Sequence, residues 1–194
     1  FESLFDPQAQ KTAAKEQKTL LKRIEAALEN VASLDEDRIL QRYVNAVQST
    51  LRTNFYQKTA NGAAKSYLSL KLDSHKIDDM PLPRPLVEIF VHSPRVDAVH
   101  LRGGRVARGG LRWSDRKEDF RTEILGLMKS QMTKNAVIVP FGAKGGFVVK
   151  QPPEIGGREA FLEEGIACYK TFMRGLLDIT DNLNAGKIVP PKDV

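Results

Sequence analysis

RGGLRWSDRKEDFRTEILGLMKSQMTKNAVIVPFGAKGG, residues 108–146, is the stretch on which the reading of this chain turns. It opens on a glycine pair, runs through a helical pattern, reaches the apolar run Val137-Ile138-Val139 and closes on a lysine between glycines. In the helical part Ile124, Met128 and Met132 share one face with Leu125 nearby, while Leu127, Gln131 and Lys134 share another at steps of four and three. The pattern predicts a helix starting near Asp115 or Asp119 and ending near Asn135. A continuous apolar run suits a strand covered on both faces, so strands are expected at 137–140 and again at 147–150. Gly142-Ala143-Lys144-Gly145-Gly146 then reads as the link between them.

Upstream, Gly103-Gly104 and Gly109-Gly110 bracket a segment of their own. Residues 66–72 alternate, with Leu68, Leu70 and Leu72 on one side and Tyr67, Ser69 and Lys71 on the other, which is the pattern of a half-buried strand. Further strands are expected at 86–92 and 97–101, separated from the first by an extended loop over 78–85 that carries Pro81, Pro83 and Pro85. Asn61-Gly62 is turn chemistry and marks a boundary. Before it, Leu20, Leu21, Ile24, Ala27, Leu28 and Val31 keep a helical period over about residues 8–31. Ser33-Leu34-Asp35-Glu36 is a capping box, predicting a second helix with Ile39, Leu40, Tyr43, Val44, Val47 and Leu51 inward.

Downstream, residues 157–181 predict a long helix. Its apolar residues Phe161, Ile166, Cys168, Tyr169, Phe172, Met173, Leu176 and Leu177 nearly encircle it, so burial on two sides is expected. Asn184-Ala185-Gly186 is expected to end it. The fold class is therefore α/β: an N-terminal helical hairpin, residues 1–60, then an α/β domain with a mixed sheet, residues 61–194.

Composition sets bounds. The 194 residues suffice for one core, and 41% hydrophobic with 28% charged residues is ordinary for a globular protein. A single cysteine, Cys168, excludes an intramolecular disulfide and fits a reducing, cytoplasmic setting. No run approaches the ~20 apolar residues of a membrane span. The first residues lack signal-peptide character and an initiator Met, so the chain is read as a fragment of a longer protein. The net charge of +6 is compatible with small anions or with nucleic acid.

Several residues carry chemistry. Glycines allow close approach of backbone and ligand, and a lysine held among them, Lys144, is suited to acid/base work or carbonyl polarisation once burial and neighbouring cations lower its pKa. A loop lysine beside flexible turns explains the same residues. Gln131 and Lys134 point the same way from a helix, and an amide plus an ammonium makes a carboxylate clamp; an exposed helical edge is the plainer account. The run Arg102, Arg105, Arg108, Arg112, Arg116, Lys117 and Arg121 suits a polyanion such as RNA, or simply a solvated basic face. Gly104 to Gly109 echoes a phosphate loop but lacks the following Lys-Ser or Lys-Thr. No G-x-G-x-x-G occurs, so a dinucleotide fingerprint is missing. His75, His92 and His100 have no metal-ligand spacing, and Cys168 reads as inert core.

Taken together, Arg108-Gly-Gly-Leu-Arg-Trp, Gln131-Met-Thr-Lys134-Asn-Ala and Pro140-Phe-Gly-Ala-Lys144-Gly-Gly resemble the substrate domain of glutamate dehydrogenases, most closely the very large NAD-specific bacterial type. The match covers about Gly103 to Gly146. The resemblance implies that Lys144 is the catalytic lysine, which stabilises the carbinolamine. It implies that Gln131 and Lys134 hold the substrate α-carboxylate, and that Arg108 stands where smaller members carry the lysine for the γ-carboxylate. It further implies L-glutamate and 2-oxoglutarate as ligands, and NAD as cofactor of the parent protein, bound by a domain outside this chain. No metal, nucleic acid or membrane partner is expected, and the parent is expected to be a homo-oligomer. The catalytic aspartate is expected beyond Val194, and the helical hairpin is outside the small-enzyme pattern. The competing reading is a non-catalytic polyanion- or RNA-binding module using Arg102 to Arg121.

Overall fold

The computed structural model describes residues 1–9, 13–134 and 139–194, with the side chains of all of these except residues 13–15 and Lys134. Helices α1 (Glu2–Phe5), α2 (Ala13–Leu28) and α3 (Leu34–Gln48) come first. They lead into strands β1 (Thr50–Thr53), β2 (Leu68–Leu72), β3 (Val87–His92), β4 (Val96–Arg102) and β5 (Arg108–Trp113). Helix α4 (Phe120–Lys134), strand β6 (Gly142–Val149), helix α5 (Gly157–Asp178) and the small hairpin β7 (Asn182–Asn184) and β8 (Lys187–Val189) follow.

Strands β1 to β6 form one sheet in the order β1-β2-β3-β4-β6-β5. Every neighbouring pair is antiparallel except β5 and β6. Parallel neighbours need a long crossover, commonly a helix, and α4 lies between these two in the chain. The sheet is therefore mixed, as expected for an α/β fold. Its first strand, β1, comes from within the first sixty residues and was not foreseen. The helical period was read through to Leu51, but α3 ends at Gln48, and Leu51 is exposed within β1.

Each face of the sheet carries one helix. Cys168 and Phe172 of α5 pack on Val91, Ala98, Phe147 and Val149 of the sheet, with Leu111 and Trp113 alongside. Ile124, Leu125 and Met128 of α4 pack on Val99 and Leu101. α5 presents small residues inward: a Cβ on Gly165 would fall 2.1 Å from the Trp113 ring, and one on Gly175 would meet Val91 and Ser69 at 2.7 and 2.6 Å. The glycines let the helix axis approach the sheet more closely than any other residue would. Trp113 fills the resulting gap, stacked between Phe147 and Phe161 with centroids at 5.8 and 5.0 Å. Cys168 is buried there, and burial pushes its thiol up to about 12, so it holds no thiolate at neutral pH.

Five expectations are corrected. Residues 139–140 are not strand, and residues 137–138 of that expected element lie outside the described residues. The strand is instead Gly142–Val149, so Lys144 sits inside the sheet and not in a link. Glycine-rich sequence reads as loop by propensity, but here the helices on both faces leave too little room for side chains. Gly109-Gly110 likewise lies within β5. α5 is covered on one side only: Phe161, Ile166, Tyr169 and Leu177 are exposed. Helix α5 ends at Asp178, and Asn184-Ala185-Gly186 is the turn of the β7–β8 hairpin.

The helical hairpin holds in outline. Ser33 caps α3, its Oγ accepting from the Glu36 amide at 3.4 Å. Yet Ile39, Leu40 and Tyr43, expected inward, are exposed. α3 is tied to the 76–79 loop through Arg42 on Asp79 and Asn45 on Lys76 and Asp78.

His100, on β4 facing α5, is held neutral: burial, with the Arg102 charge nearby, lowers its pKa to about 4. The unfolded chain binds this proton below about pH 6.5 and the folded chain only near 4. The stability associated with the neutral form is therefore present above about 6.5 and lost as pH falls toward 4. Chemical denaturation at pH 7 and pH 5 should show a smaller drop for His100→Gln than for the wild type. An equal drop would dismiss His100 as a contributor to acid sensitivity.

Candidate functional site

The parallel register of β5 on β6 pairs Arg108 with Gly142, Gly110 with Lys144 and Arg112 with Gly146. Alternation along a strand puts these six residues on one face. Since Gly109, Leu111 and Trp113 belong to the α5 side, that face is the α4 side. The result is Arg-Gly-Arg lying against Gly-Lys-Gly. Each cation has a glycine opposite, and the three stand on diagonals roughly 7–8 Å apart at the backbone.

α4 explains where Lys144 points. The helix rests on β6 at both glycines flanking Lys144: a Cβ on Gly146 would fall 2.3 Å from Ile124, and one on Gly142 would fall 2.8 Å from the Met128 carbonyl and 3.1 Å from Gln131 Cβ. On the β4 side the neighbour of Lys144 is Leu101, fully buried against α4. The open direction is outward, over edge strand β5, and Lys144 takes it. Its Nζ lies 3.7 Å from where a Cβ on Gly110 would sit. Glycine at 110 is what leaves that space. Among the described residues the Lys144 ammonium has no hydrogen bond or ion pair, its backbone being held in the sheet.

The expected site residues thus fall as follows. Arg108, Gln131 and Lys144 lie on one face of the sheet, at β5, α4 and β6 respectively, with Gln131 against Gly142 directly beside Arg108 in the register. Lys134 is the last residue of α4, and its side chain lies outside the described set. Glu123, which sequence reasoning did not single out, joins them, together with Arg112, which was read only as part of the basic run. Glu123, in the first turn of α4, takes Arg112 Nε on one oxygen at 2.7 Å and the Ser114 hydroxyl on the other at 2.5 Å. The signal available for Arg112 was the alternation of R-G-G-L-R-W, which puts Arg108, Gly110 and Arg112 on one side of any strand.

The rest of the basic run does not converge here. Arg102 donates to the Gly104 and Arg105 carbonyls, Arg116 pairs with Asp119, and Arg121 forms a two-pronged pair with the buried Glu88, both contacts 2.7 Å. No group of three or more potential metal ligands occurs among the described residues, and no described helix is long and apolar enough to cross a membrane.

Fold and site together define a mixed α/β domain whose edge gathers cations over glycines. Residues 23–194 match the family described as bacterial NAD-glutamate dehydrogenase, catalytic domain, and the chain belongs to that family. It is 57% identical over its full length to a protein of Halomonas elongata named NAD-specific glutamate dehydrogenase. It is 60% identical over 178 residues, 92% of the chain, to one of Pseudomonas aeruginosa, and 52% identical, again over the whole chain, to one of Mycobacterium tuberculosis, both with the same name. The chain spans 11–12% of the length of these relatives.

Proposed function

We propose that this chain supplies the substrate half-site of an NAD-dependent glutamate dehydrogenase, whose full-length protein oxidatively deaminates L-glutamate to 2-oxoglutarate and ammonia. The observation that carries the reading is the Lys144 ammonium leaning over Gly110, on the same face as Arg108 and Gln131. In this reading Gln131 and Lys134 hold the α-carboxylate, Arg108 takes the side-chain carboxylate, and Lys144 faces the reacting carbon. An ammonium preorganised there stabilises the oxygen of the carbinolamine as negative charge develops on it. Residues 61–194 form the substrate-binding unit, and residues 1–60 precede it as a helical hairpin that lends it β1.

NAD is assigned to the full-length protein and to no residue here. Dinucleotide sites use consecutive parallel strands with a glycine turn into a helix, whereas this sheet has one parallel pair and the sequence lacks the fingerprint. The full-length protein is read as a cytoplasmic homo-oligomer. A polyanion-binding role is less well supported, because Arg112, Arg116 and Arg121 are already matched by Glu123, Asp119 and Glu88.

The full-length protein should therefore reduce NAD in the presence of L-glutamate, and the 194-residue chain alone should not. A glutamate-dependent rise in NADH absorbance from the isolated chain would contradict the half-site assignment. Its absence from the full-length protein would contradict the activity itself.

A further inference from the structure

We propose that Glu123 is a positioning residue of this site, setting the place of Arg108 by fastening the edge strand that carries it. The inference rests on the half-site reading above and goes beyond it.

β5 is bonded to one neighbour only, since it ends the sheet. An edge strand with a single ladder is less constrained than the four strands inside the sheet, yet β5 carries Arg108 and the glycine over which Lys144 lies. The sequence ties it down from above. Glu123 grips both ends of a short tract, Arg112 within β5 and Ser114 just after it. Ser114 is buried; its amide donates to the Phe147 carbonyl at 2.8 Å, and its hydroxyl accepts from the Arg116 amide at 3.1 Å. The Glu123 side chain is itself 11% exposed and Ser114 is buried, so that contact acts in a shielded setting, while Arg112 is 56% exposed. Two residues earlier on α4, Arg121 reaches the opposite way to Glu88 on β3. The first turn of α4 is thereby pinned to the sheet on both sides of β6, with Ile124 seated on Gly146 between the two anchors.

The consequence is selective. Lys144 is on β6, which is bonded to β4 and β5 and covered by both helices. Its position depends little on Glu123. Arg108 rides on β5, which is paired with β6 alone. Weakening the Glu123 clasp lets the edge shift, and small displacements of a binding group cost large factors in binding. The loss should fall on recognition of the side-chain carboxylate and not on the chemical step.

The test uses the full-length protein with Glu123→Gln, which keeps the shape but removes the charge and weakens the double grip. KM for L-glutamate should rise about tenfold with kcat within about threefold. KM for a monocarboxylic amino acid of similar length, norvaline, should stay within about twofold, because that substrate does not use Arg108. Ser114→Ala, which breaks the clasp from the strand side, should move the same parameter in the same direction. Equal rises for both substrates, or a lower melting temperature with unchanged KM, would mean that Glu123 only holds the fold together. Should Glu123→Gln fail to fold, Ser114→Ala decides alone. A wild-type protein without glutamate turnover would instead overturn the half-site reading.

Discussion

Replacing Lys144 by Ala in the full-length protein should lower kcat for glutamate by about 100-fold or more and leave KM within a few-fold. Lys144 has no carboxylate, hydroxyl or carbonyl partner among the described residues, although helix contacts flank it on its own strand. A partly buried ammonium without a counter-charge is costly, and no described residue supplies one: Arg108 and Arg112, both cations, share its face. Such an arrangement is favourable only when an anion or a developing oxyanion arrives. If the gain grows as charge develops, it appears in kcat; if it is constant, it appears in KM. In the proposed half-site Arg108, Gln131 and Lys134 take the two carboxylates, which leaves Lys144 for the reacting centre. Steady-state kinetics of Lys144→Ala decide the matter. Unchanged turnover would remove Lys144 from the mechanism, and a pure KM effect would reassign it to binding.

The reasons some of this was legible in the sequence, and some not, are physical. α4 was legible because Ile124, Met128 and Met132 repeat at a step of four, and they do pack toward the sheet. β2 and β3 were legible by their alternation and apolar content. Of β6 only the apolar end, residues 147–149, was legible, because its first five residues contain three glycines, and glycine signals a loop when only propensity is consulted. In the folded chain those glycines are imposed from outside: Ile124, Gln131 and Phe172 occupy the places where side chains would stand. Only the tertiary packing reveals that. β5 was hidden in the same way, by a glycine pair that reads as a turn.

The cation cluster shows the same split. Arg108, Gln131, Lys134 and Lys144 were selected by residue type and resemblance. The parallel pairing of β5 with β6 is what puts Arg108 and Lys144 on one face. Glu123 was invisible, because one glutamate in a helix of mixed charge carries no signal until its partners on β5 are known.

Arg108→Ala should cost the full-length protein about 10–100-fold in kcat/KM for L-glutamate, nearly all of it through KM. A guanidinium binds a carboxylate with two parallel hydrogen bonds, and such charge-assisted contacts are worth about 1.5–3 kcal/mol when one partner is removed. Arg108 is exposed on the strand edge, which puts the expected loss below what a fully buried cation would give. Its register position opposite Gly142 sets it beside Gln131 and one diagonal from Lys144. A dicarboxylate can therefore meet all three at once, whereas norvaline leaves the guanidinium without its anion. Discrimination between glutamate and norvaline should fall in Arg108→Ala by about the same 10–100-fold, and Arg108→Lys should restore part of it, since charge survives without the fork. The informative quantity is the ratio of kcat/KM for the two substrates. A ratio that stays at the wild-type value while both constants drop would make Arg108 a structural residue of the edge and would move recognition of the side-chain carboxylate to another cation, with Arg112 the first to examine.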